Sequence, residues 1–481
     1  MPQLEAIIGL EVHAQMNTKT KMFCGCDNDA FGKEPNVTVC PICMGHPGTL
    51  PVVNKSAVEK SVKASLAIGC AISPDCHFDR KHYFYPDLPS GFQISQYDFP
   101  LGKGGKVEYD LRDASGKKTG ERICRITRLH MENDAGKLSH YGDKTLCDYN
   151  RAGTPLMEIV TEPDIRNSEE AVAFAQELRR ILIAVDASEA DMFKGMMRFD
   201  ASISLREIGT EKLNPRSEIK NLNSFKSLEK ALQYEEKRLR DSWEETGGPL
   251  KGNITVGWMD DAEKTRMLRD KEDAQDYRYF PEPDIPPLHF EAAEVEKIKQ
   301  SLPQLPRALR EEYVKLGLDE KQGIQIMDDT ALRAMFDAVF KKTKDAKKTS
   351  GIVLTQLLGF LKADNKTIAE GPSIDAVLIL VDAITSGSIS GNAGKEVLET
   401  MVKTGKSPTD IIKEGGMQQI SDDGALQKVV DAAIAANESS VTTFKAGKAA
   451  ALGAIVGWIM KETKGQANPQ KVNELLRKAI G

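Results

Sequence analysis

The segment Ile8-Gly9-Leu10-Glu11-Val12-His13 opens the chain with the pattern of a strand. Glu11 and His13 are two residues apart, so on a strand their side chains project from the same face. More short β-type runs follow, with Gly and Pro between them. They lie at residues 123–129, 159–161 and 203–206. The start of the chain therefore predicts a sheet with polar groups on one face.

Helical segments lie among these runs, at residues 169–185 and 228–243. Ser168 and Ser227 stand just before them and are the predicted N-caps. Strands and helices that alternate irregularly in this way predict an α+β fold up to about residue 289.

A proline-rich stretch at residues 281–287 interrupts regular structure. Beyond residue 291 the apolar residues recur at helical spacing, and a weaker break follows at residues 403–408. We therefore expect three domains. They are an α+β domain at residues 1–292, an all-α helical domain at residues 293–405 and a helical tail domain at residues 406–481.

Two cysteine pairs, Cys24-x-Cys26 and Cys40-x-x-Cys43, follow the first strand. Four thiolates on two short turns can fill the tetrahedral shell of Zn²⁺. Such a closed shell is structural and leaves no position for a substrate. The alternative is four reduced cysteines without a metal.

The composition is that of a globular protein, with 481 residues, 40% of them hydrophobic and 28% charged. Glu5 and Glu11 stand where a secretory signal would be basic, and the longest apolar stretch is too short to span a bilayer. We expect a cytoplasmic protein without a membrane partner. The formal net charge of -6 gives no overall attraction for nucleic acid, so a polyanionic partner needs a local basic patch.

Residues 441–481 contain such a patch, with seven basic and two acidic residues. The basic residues are Lys445, Lys448, Lys461, Lys464, Lys471, Arg477 and Lys478. This patch could bind a phosphate backbone, or it could be the solvated face of a helix.

Several carboxylates occur where the pattern is extended and polar: Glu11 beside His13, Glu132 near Asp134, Glu158 and Asp200. If they converge, their oxygen atoms suit Mg²⁺, which binds one or two carboxylates and bridges substrate phosphates. Each acid taken alone could instead be an exposed charge or the partner of a nearby arginine, such as Arg128 or Arg198.

No standard phosphate-binding loop is present, because residues 391–396 (GNAGKE) have the wrong glycine spacing and predict only a helix start. ATP would need another source of positive charge, for which Lys81 and Lys220 are candidates. The alternative is structural: the aromatic residues after Lys81 could fill a core, and Ser224 could cap the following helix.

Longer segments carry a resemblance that covers nearly the whole chain. They are residues 8–13, the four cysteines, residues 81–89 (KHYFYPDLP), 148–164 (DYNRAGTPLMEIVTEPD), 218–224 (EIKNLNS), 276–284 (DYRYFPEPD) and 460–469 (MKETKGQANP). In these segments the chain resembles the B subunits of the tRNA-dependent amidotransferases, which act on misacylated glutamyl-tRNA(Gln) and aspartyl-tRNA(Asn).

The resemblance implies a cradle domain on an antiparallel sheet, a helical domain, and a YqeY-like tail domain that binds tRNA. It implies a ligase reaction in which ATP phosphorylates the side-chain carboxylate of the misacylated amino acid and ammonia then displaces the phosphate. The metal ligands and catalytic residues would be Glu11, His13, Glu132, Glu158 and Asp200, with Lys81 and Lys220 near the phosphates. Because the sequence has no glutaminase signature, an amidase-type A subunit would supply ammonia, and a small C subunit would complete a heterotrimer.

Three positions depart from the family pattern: Asn133 stands where a second acid is usual, Ser202 where Asn is usual, and the segment Thr255-Val256-Gly257-Trp258 lacks an arginine. One ligand or phosphate contact could thus be replaced. Two other functions compete with the amidotransferase. One is a zinc-bearing tRNA-binding adaptor without catalysis, and the other is a carboxylate–amine ligase that acts on a free small acid.

Overall fold

A computed structural model of the chain describes residues 3–270, 277–418, 423–446, 448–463 and 466–481. The chain forms two compact units, Met1–Leu309 and Arg310–Gly481. Lys464 of the basic patch, and Asp276 and Gly465 of the segments quoted above, lie outside the described residues.

The first unit is built on strands that follow one another along most of its length. They are β1 (Leu4–Gln15), β2 (Ala71–Ile72), β3 (Asp75–Cys76), β4 (Asp79–His82), β5 (Phe92–Ser95), β6 (Gly102–Lys103), β7 (Lys106–Arg112), β8 (Lys118–Asn133), β9 (Lys137–Tyr141), β10 (Lys144–Asp148), β11 (Pro155–Thr161), β12 (Met197–Glu207), β13 (Ser217–Leu222), β14 (Ile254–Met259), β15 (Lys264–Asp270), β16 (Phe280–Pro281) and β17 (Leu288–His289). The four predicted strands fall within β1, β8, β11 and β12, so these predictions are confirmed.

The main sheet has ten strands in the order β15-β14-β13-β12-β1-β11-β8-β6-β2, with β7 paired to β8. Its pairings are antiparallel except for β13 with β14, which is parallel. The smaller sheets are β9 with β10, β16-β4-β5, and β17 with β3.

Strand β1 lies near the middle of the main sheet, between β11 and β12. Leu10, Val12 and Ala14 are buried in the apolar core, whereas Glu11 and His13 between them are partly exposed on the other face. Side chains of a strand alternate between the two faces, so one short segment both fills the core and presents polar groups.

The helices account for the rest of the fold. They are α1 (Lys55–Ala67), α2 (Ser168–Ala184), α3 (Phe225–Thr246), α4 (Ala292–Gln300), α5 (Pro306–Lys315), α6 (Glu320–Asp328), α7 (Thr330–Thr343), α8 (Ala346–Ser350), α9 (Leu358–Ala363), α10 (Ile374–Thr385), α11 (Gly391–Thr404), α12 (Pro408–Glu414), α13 (Asp423–Ala436), α14 (Glu438–Lys445), α15 (Leu452–Glu462) and α16 (Pro469–Ile480). Helix α11 begins at Gly391, as the sequence predicted. Helices α2 and α3 pack together, and α3 also packs against β12.

Ser168 and Ser227, the first predicted N-caps of α2 and α3, are wrong, whereas Ser224, the alternative cap of α3, is confirmed. The side chain of Asn167 accepts a hydrogen bond from the backbone N–H of Glu170, so Asn167 caps α2. Ser224 caps α3 by accepting from the backbone N–H of Ser227. Both helices therefore start earlier than predicted, because the capping residue is the one whose backbone is still extended.

The described part of the second unit contains helices and no strand. A π-helix, Gly351–Leu357, joins α8 to α9, so the hydrogen-bond pattern changes in the middle of this helical stretch. Helices α13, α15 and α16 share a small core that includes Val430, Ile455 and Leu476. Within the described ranges no helix is both long and apolar enough to cross a membrane.

The first unit extends past the predicted boundary at residue 292. Ile298 of α4 and the following Leu302 and Leu305 pack against the core of the first unit. The three-domain division, with its boundaries at 292/293 and 405/406, stays a prediction.

Candidate active site

A cavity of about 490 Å³ lies on the polar face of the main sheet. Seven residues singled out from the sequence line it together: Glu11, His13, Lys81, Glu132, Glu158, Asp200 and Lys220. They come from six strands, β1, β4, β8, β11, β12 and β13. The fold thus gathers residues that are up to about 200 positions apart in the chain into one site.

Cross-strand pairing explains this convergence. His13 of β1 stands opposite Glu158 of β11, and Glu158 stands opposite His130 of β8. On the other side of β1, Glu11 stands opposite Asp200 of β12. Directly opposed residues in antiparallel strands lie on the same face with their Cβ atoms close together. The register of β1 therefore sets the composition of the site.

The first ligand cluster consists of His13, Glu132 and Glu158, whose ligand atoms lie within 4.8 Å of one another. His13 Nε2 is 3.3 Å from Glu158 Oε2 and 4.0 Å from Glu132 Oε1. His130 lies beneath them, with its Nε2 3.5 Å from Glu158 Oε2. Ser95 donates its hydroxyl to Glu132 at 3.2 Å. The two carboxylates are thus held in place by a hydroxyl and two imidazoles.

Charges within this cluster stabilise one another. Burial disfavours the Glu158 carboxylate, but the charge of His130 and the hydrogen bond from His13 outweigh it, so the pKa of Glu158 is well below its usual range. Burial likewise opposes protonation of His130, yet Glu158 and Glu132 raise its pKa to about 9. Burial also opposes protonation of His13, but its hydrogen bond to Glu158 and the charges of Glu158 and Glu132 together raise its pKa. These shifts show that the buried carboxylates attract positive charge.

The second ligand cluster consists of Glu11, Asp200 and Glu218, again within 4.8 Å of one another. Burial, and then the charges of the surrounding carboxylates, raise the pKa of Glu11. Lys220 Nζ lies 3.2 Å from Asp200 Oδ2 and 3.0 Å from Glu218 Oε1. In this structure Lys220 is therefore the cation of the second cluster, and it points at carboxylates.

Lys81 is placed differently, on the opposite wall. Its Nζ lies 4.9 Å from the ring centroid of Tyr277 and 5.8 Å from that of Tyr83. Tyr97 and Tyr279, stacked with centroids 4.4 Å apart, continue this aromatic wall. A lysine that contacts aromatic faces keeps its ammonium available to an incoming anion.

Asp134 does not join the site, although it follows Glu132 closely in the sequence. It is buried beside the cavity, where Arg198 donates to it from Nη2 at 3.0 Å and Gln15 donates from Nε2 at 2.9 Å. Arg151 Nε lies 3.6 Å away. Asp134 is therefore the partner of two arginines, which is the alternative that the sequence offered for an acid taken alone.

The four cysteines Cys24, Cys26, Cys40 and Cys43 form a third cluster, with their sulfur atoms within 4.8 Å of one another. Hydrogen bonding by Cys24 is the main factor that lowers the pKa of the Cys43 thiol to about 5, while burial raises that of Cys26 to about 11. The backbone N–H of Cys40 donates to Cys43 Sγ at 3.2 Å. This cluster could bind a metal ion.

The donor sets fit different metals. Carboxylate oxygens with one imidazole suit Mg²⁺, and the crowding that raises the pKa of Glu11 is relieved by a cation. Four sulfurs suit Zn²⁺. The two oxygen clusters thus match a hard cation, and the cysteine cluster matches a softer one.

None of the three departures from the family pattern is a member of either oxygen cluster. Asn133 points away from the cavity, and its Oδ1 accepts a hydrogen bond from the backbone N–H of Ile94. Ser202 lines an adjoining cavity of about 430 Å³. Thr255 Oγ1 donates to Glu218 Oε2 at 3.3 Å.

Sequence reasoning missed some members of the site. His130 contacts the first cluster, Glu218 belongs to the second, and Arg216 and Asn253 also line the cavity. The spacing could have indicated the first two. His130 is two residues before Glu132, and Glu218 two before Lys220, so each shares a strand face with a predicted residue.

An α+β cradle with two oxygen-rich clusters in one cavity has the donor groups that metal ions could bind in an enzyme. The comparison with known proteins is more specific. A family model described as the GatB/GatE catalytic domain matches residues 6–296, and one described as the GatB domain matches residues 334–480. The chain belongs to the GatB family.

Relatives match along their whole length. The chain is 46% identical over 485 residues to the second of the aspartyl/glutamyl-tRNA(Asn/Gln) amidotransferase B subunits of Clostridium acetobutylicum, covering 99% of each protein. It is 44% identical over 484 residues to the corresponding B subunits of Carboxydothermus hydrogenoformans and Moorella thermoacetica. These matches cover 99% of this chain and 99% and 100% of the relatives.

Proposed function

We propose that this chain is the B subunit of a tRNA-dependent amidotransferase, a ligase that forms a C–N bond. Its substrates are misacylated glutamyl-tRNA(Gln), aspartyl-tRNA(Asn), or both. The observation that carries the proposal is the meeting of two ligand clusters and two lysines in one cavity of a GatB-family chain. Full-length identity of 44–46% to relatives with this name supports it.

In the proposed reaction, a side-chain carboxylate oxygen of the misacylated residue attacks the γ-phosphorus of ATP, and ADP leaves. Ammonia then attacks the acyl carbon, the C–O bond to phosphate breaks so that phosphate leaves with the electron pair, and loss of one proton from nitrogen to phosphate leaves the amide. His13, Glu132 and Glu158 would hold one Mg²⁺, and Glu11, Asp200 and Glu218 a second. Bound there, Mg²⁺ would offset negative charge on the transferring phosphoryl group.

The protein's own residues have positioning and electrostatic roles. Lys81, which contacts the aromatic wall and no carboxylate of the described residues, is the proposed phosphate contact. Lys220 pairs with Asp200 and Glu218. A metal ion bound by these two carboxylates would either lie beside the Lys220 ammonium or displace it. The cysteine cluster would hold a structural Zn²⁺.

The proposal requires partners. Ammonia would come from an amidase-type A subunit, with a small C subunit in the same heterotrimer. The predicted tail domain, residues 406–481, would bind tRNA, and its basic residues beyond 441 would contact the phosphates.

The test is the conversion of glutamyl-tRNA and aspartyl-tRNA by the chain co-purified with candidate A and C subunits. ATP, Mg²⁺ and ammonium chloride are supplied, so that the assay does not depend on glutaminase activity. Amide formation that requires ATP is expected, and the labelled product identifies the acceptor. The variant Glu132→Gln should lose ATP-dependent activation while tRNA binding persists.

Absence of product while tRNA still binds would contradict the proposal and favour the adaptor. Amidation of free glutamate or aspartate at an equal rate would instead favour the small-acid ligase.

A further inference from the structure

Lys21 is fully buried, with 0% of its surface exposed, in the loop between β1 and the first cysteine pair. Its ammonium has two contacts: Nζ lies 3.4 Å from the carbonyl oxygen of Tyr149 and 3.7 Å from Cys43 Sγ. Among the described residues no carboxylate forms an ion pair with it. A buried ammonium without a counter-charge is strongly unfavourable, so this position needs an anion.

The cysteine cluster can supply this anion. Four thiolates with one Zn²⁺ carry a net charge of about −2. Cys43, the residue that Lys21 contacts, is one of the four. The cluster therefore provides the missing charge in its metal-bound form.

The backbone around Lys21 fixes this contact. The N–H of Lys21 donates to the carbonyl of Cys26 at 3.0 Å, and the N–H of Met22 donates to that of Gly153 at 2.8 Å. Gly153 has a φ of +89°, and a Cβ placed on it would lie 3.3 Å from Cys43 Cβ and 3.5 Å from Lys21 Cδ. The lysine stem and Cys43 thus pack closely against one glycine.

We propose that Lys21 is the charge partner of a zinc–tetrathiolate centre, with its ammonium beside Cys43 offsetting part of the centre's negative charge. Lys21 is a positioning residue, since it acts on the metal through the sulfur. The proposal rests on the zinc site proposed above, and does not depend on the amidation reaction.

This role predicts a specific effect on metal binding. Lys21→Met preserves the volume of the stem but removes a favourable charge beside Cys43, so zinc should bind about 10- to 100-fold more weakly. A lysine that served only to fill the core would give no loss of zinc affinity.

The experiment compares the full-length wild type with Lys21→Met, Lys21→Arg and the control Lys19→Met, whose exposed side chain lies two residues away in the same loop. Zinc affinity is measured by competition with a chromophoric chelator, and melting temperature with zinc and with excess chelator. Lys21→Arg should keep most of the zinc affinity, and Lys19→Met should match the wild type in both measurements.

Unchanged zinc affinity in Lys21→Met would overturn the proposal. If Lys21→Met does not fold, Lys21→Arg decides the question, because a 100-fold loss of zinc affinity with the charge kept would overturn the proposal as well. A wild type that binds no zinc removes the zinc site itself, and amide formation, measured separately, reports on the proposed function.

Discussion

Glu218 and Lys220 stand on one face of β13 and meet Asp200 of the neighbouring strand. If Glu218 completes a Mg²⁺ site, Glu218→Gln keeps the shape of the side chain but removes one of three negative charges. We expect ATP-dependent amide formation to fall about 100-fold or more, because charge stabilisation at the phosphoryl group is lost. The measurement is single-turnover kinetics across a Mg²⁺ titration.

The matched control is Glu207→Gln, at the exposed end of β12. It should leave both the rate and the Mg²⁺ dependence unchanged. Wild-type rates in Glu218→Gln would show that the second cluster is not part of the reaction.

Asp134 and Arg198 give a prediction about stability and pH. Burial raises the pKa of Asp134, but the charges of Arg198 and Arg151 lower it by more, so the pKa lies below its usual range. This pair therefore adds stability above pH about 3.9, the usual pKa of Asp, and loses it as the pH falls through the lowered value. Arg198→Met leaves a buried carboxylate with a weaker counter-charge and should cost about 3 kcal/mol near pH 7.

In the variant, protonation of Asp134 relieves that cost, so the difference in melting temperature from the wild type should shrink as the pH falls from 7 to 4. Calorimetry of the full chain at a series of pH values measures this. A constant difference would mean that Arg198 acts through packing alone.

For single residues, the sequence indicated side chains that line one cavity but not which of them contact one another. The resemblance indicated Glu11, His13, Glu132, Glu158 and Asp200, and all of them line one cavity. It could not indicate that Lys220 pairs with Asp200 and Glu218, because that contact depends on the register of strands β12 and β13.

Among the elements, helix α2 illustrates how local chemistry sets a boundary. Asn167→Ala removes the side-chain acceptor for the N–H of Glu170 and should destabilise the protein by about 1 kcal/mol. Asn167→Asp keeps the acceptor and serves as the control. The melting temperature of each variant, measured at one pH, tests the prediction, and an equal loss in both would rule out capping as the cause.

The strands could be predicted individually because each has a short apolar or alternating pattern. The strands with which each of them pairs could not be predicted. Strand β1 pairs with β11 and β12, which lie more than 130 residues further along the chain, and no local pattern encodes such a pairing. The π-helix Gly351–Leu357 was also beyond reach, since its residues have ordinary helical spacing.

For the whole molecule, the basic residues beyond 441 can be tested without cutting the chain. Helices α15 and α16 contribute Ile455, Ile459 and Leu476 to a shared core, so a truncation at 441 would remove structure as well as charge. Lys461, Arg477 and Lys478 are exposed. Their triple replacement by Gln should weaken tRNA binding most at low salt and reduce the slope of log K against log salt by about 2.

The control is Lys297→Gln with Lys299→Gln, two exposed lysines of α4. Binding is measured by filter retention or anisotropy at several salt concentrations. An unchanged slope in the triple variant would identify these residues as an ordinary solvated helix face.

Composition and spacing predicted an α+β region followed by a helical one, and both are present. The limit of the first unit was harder to predict, because helix α4 looks like the helices that follow it in sequence. Ile298 of α4, and Leu302 and Leu305 just after this helix, pack against the core of the first unit.

The central place of β1 has a consequence for synthesis of the protein in the cell. Both edges of β1 stay unpaired until β11 and β12 have been made, and β12 ends at residue 207, about 190 residues after β1. At translation speeds of 5–20 residues per second, the ribosome needs roughly 10 to 40 s for that length. For that time the nascent chain displays a strand with one apolar face and at least one open edge, which is the kind of surface that chaperones bind.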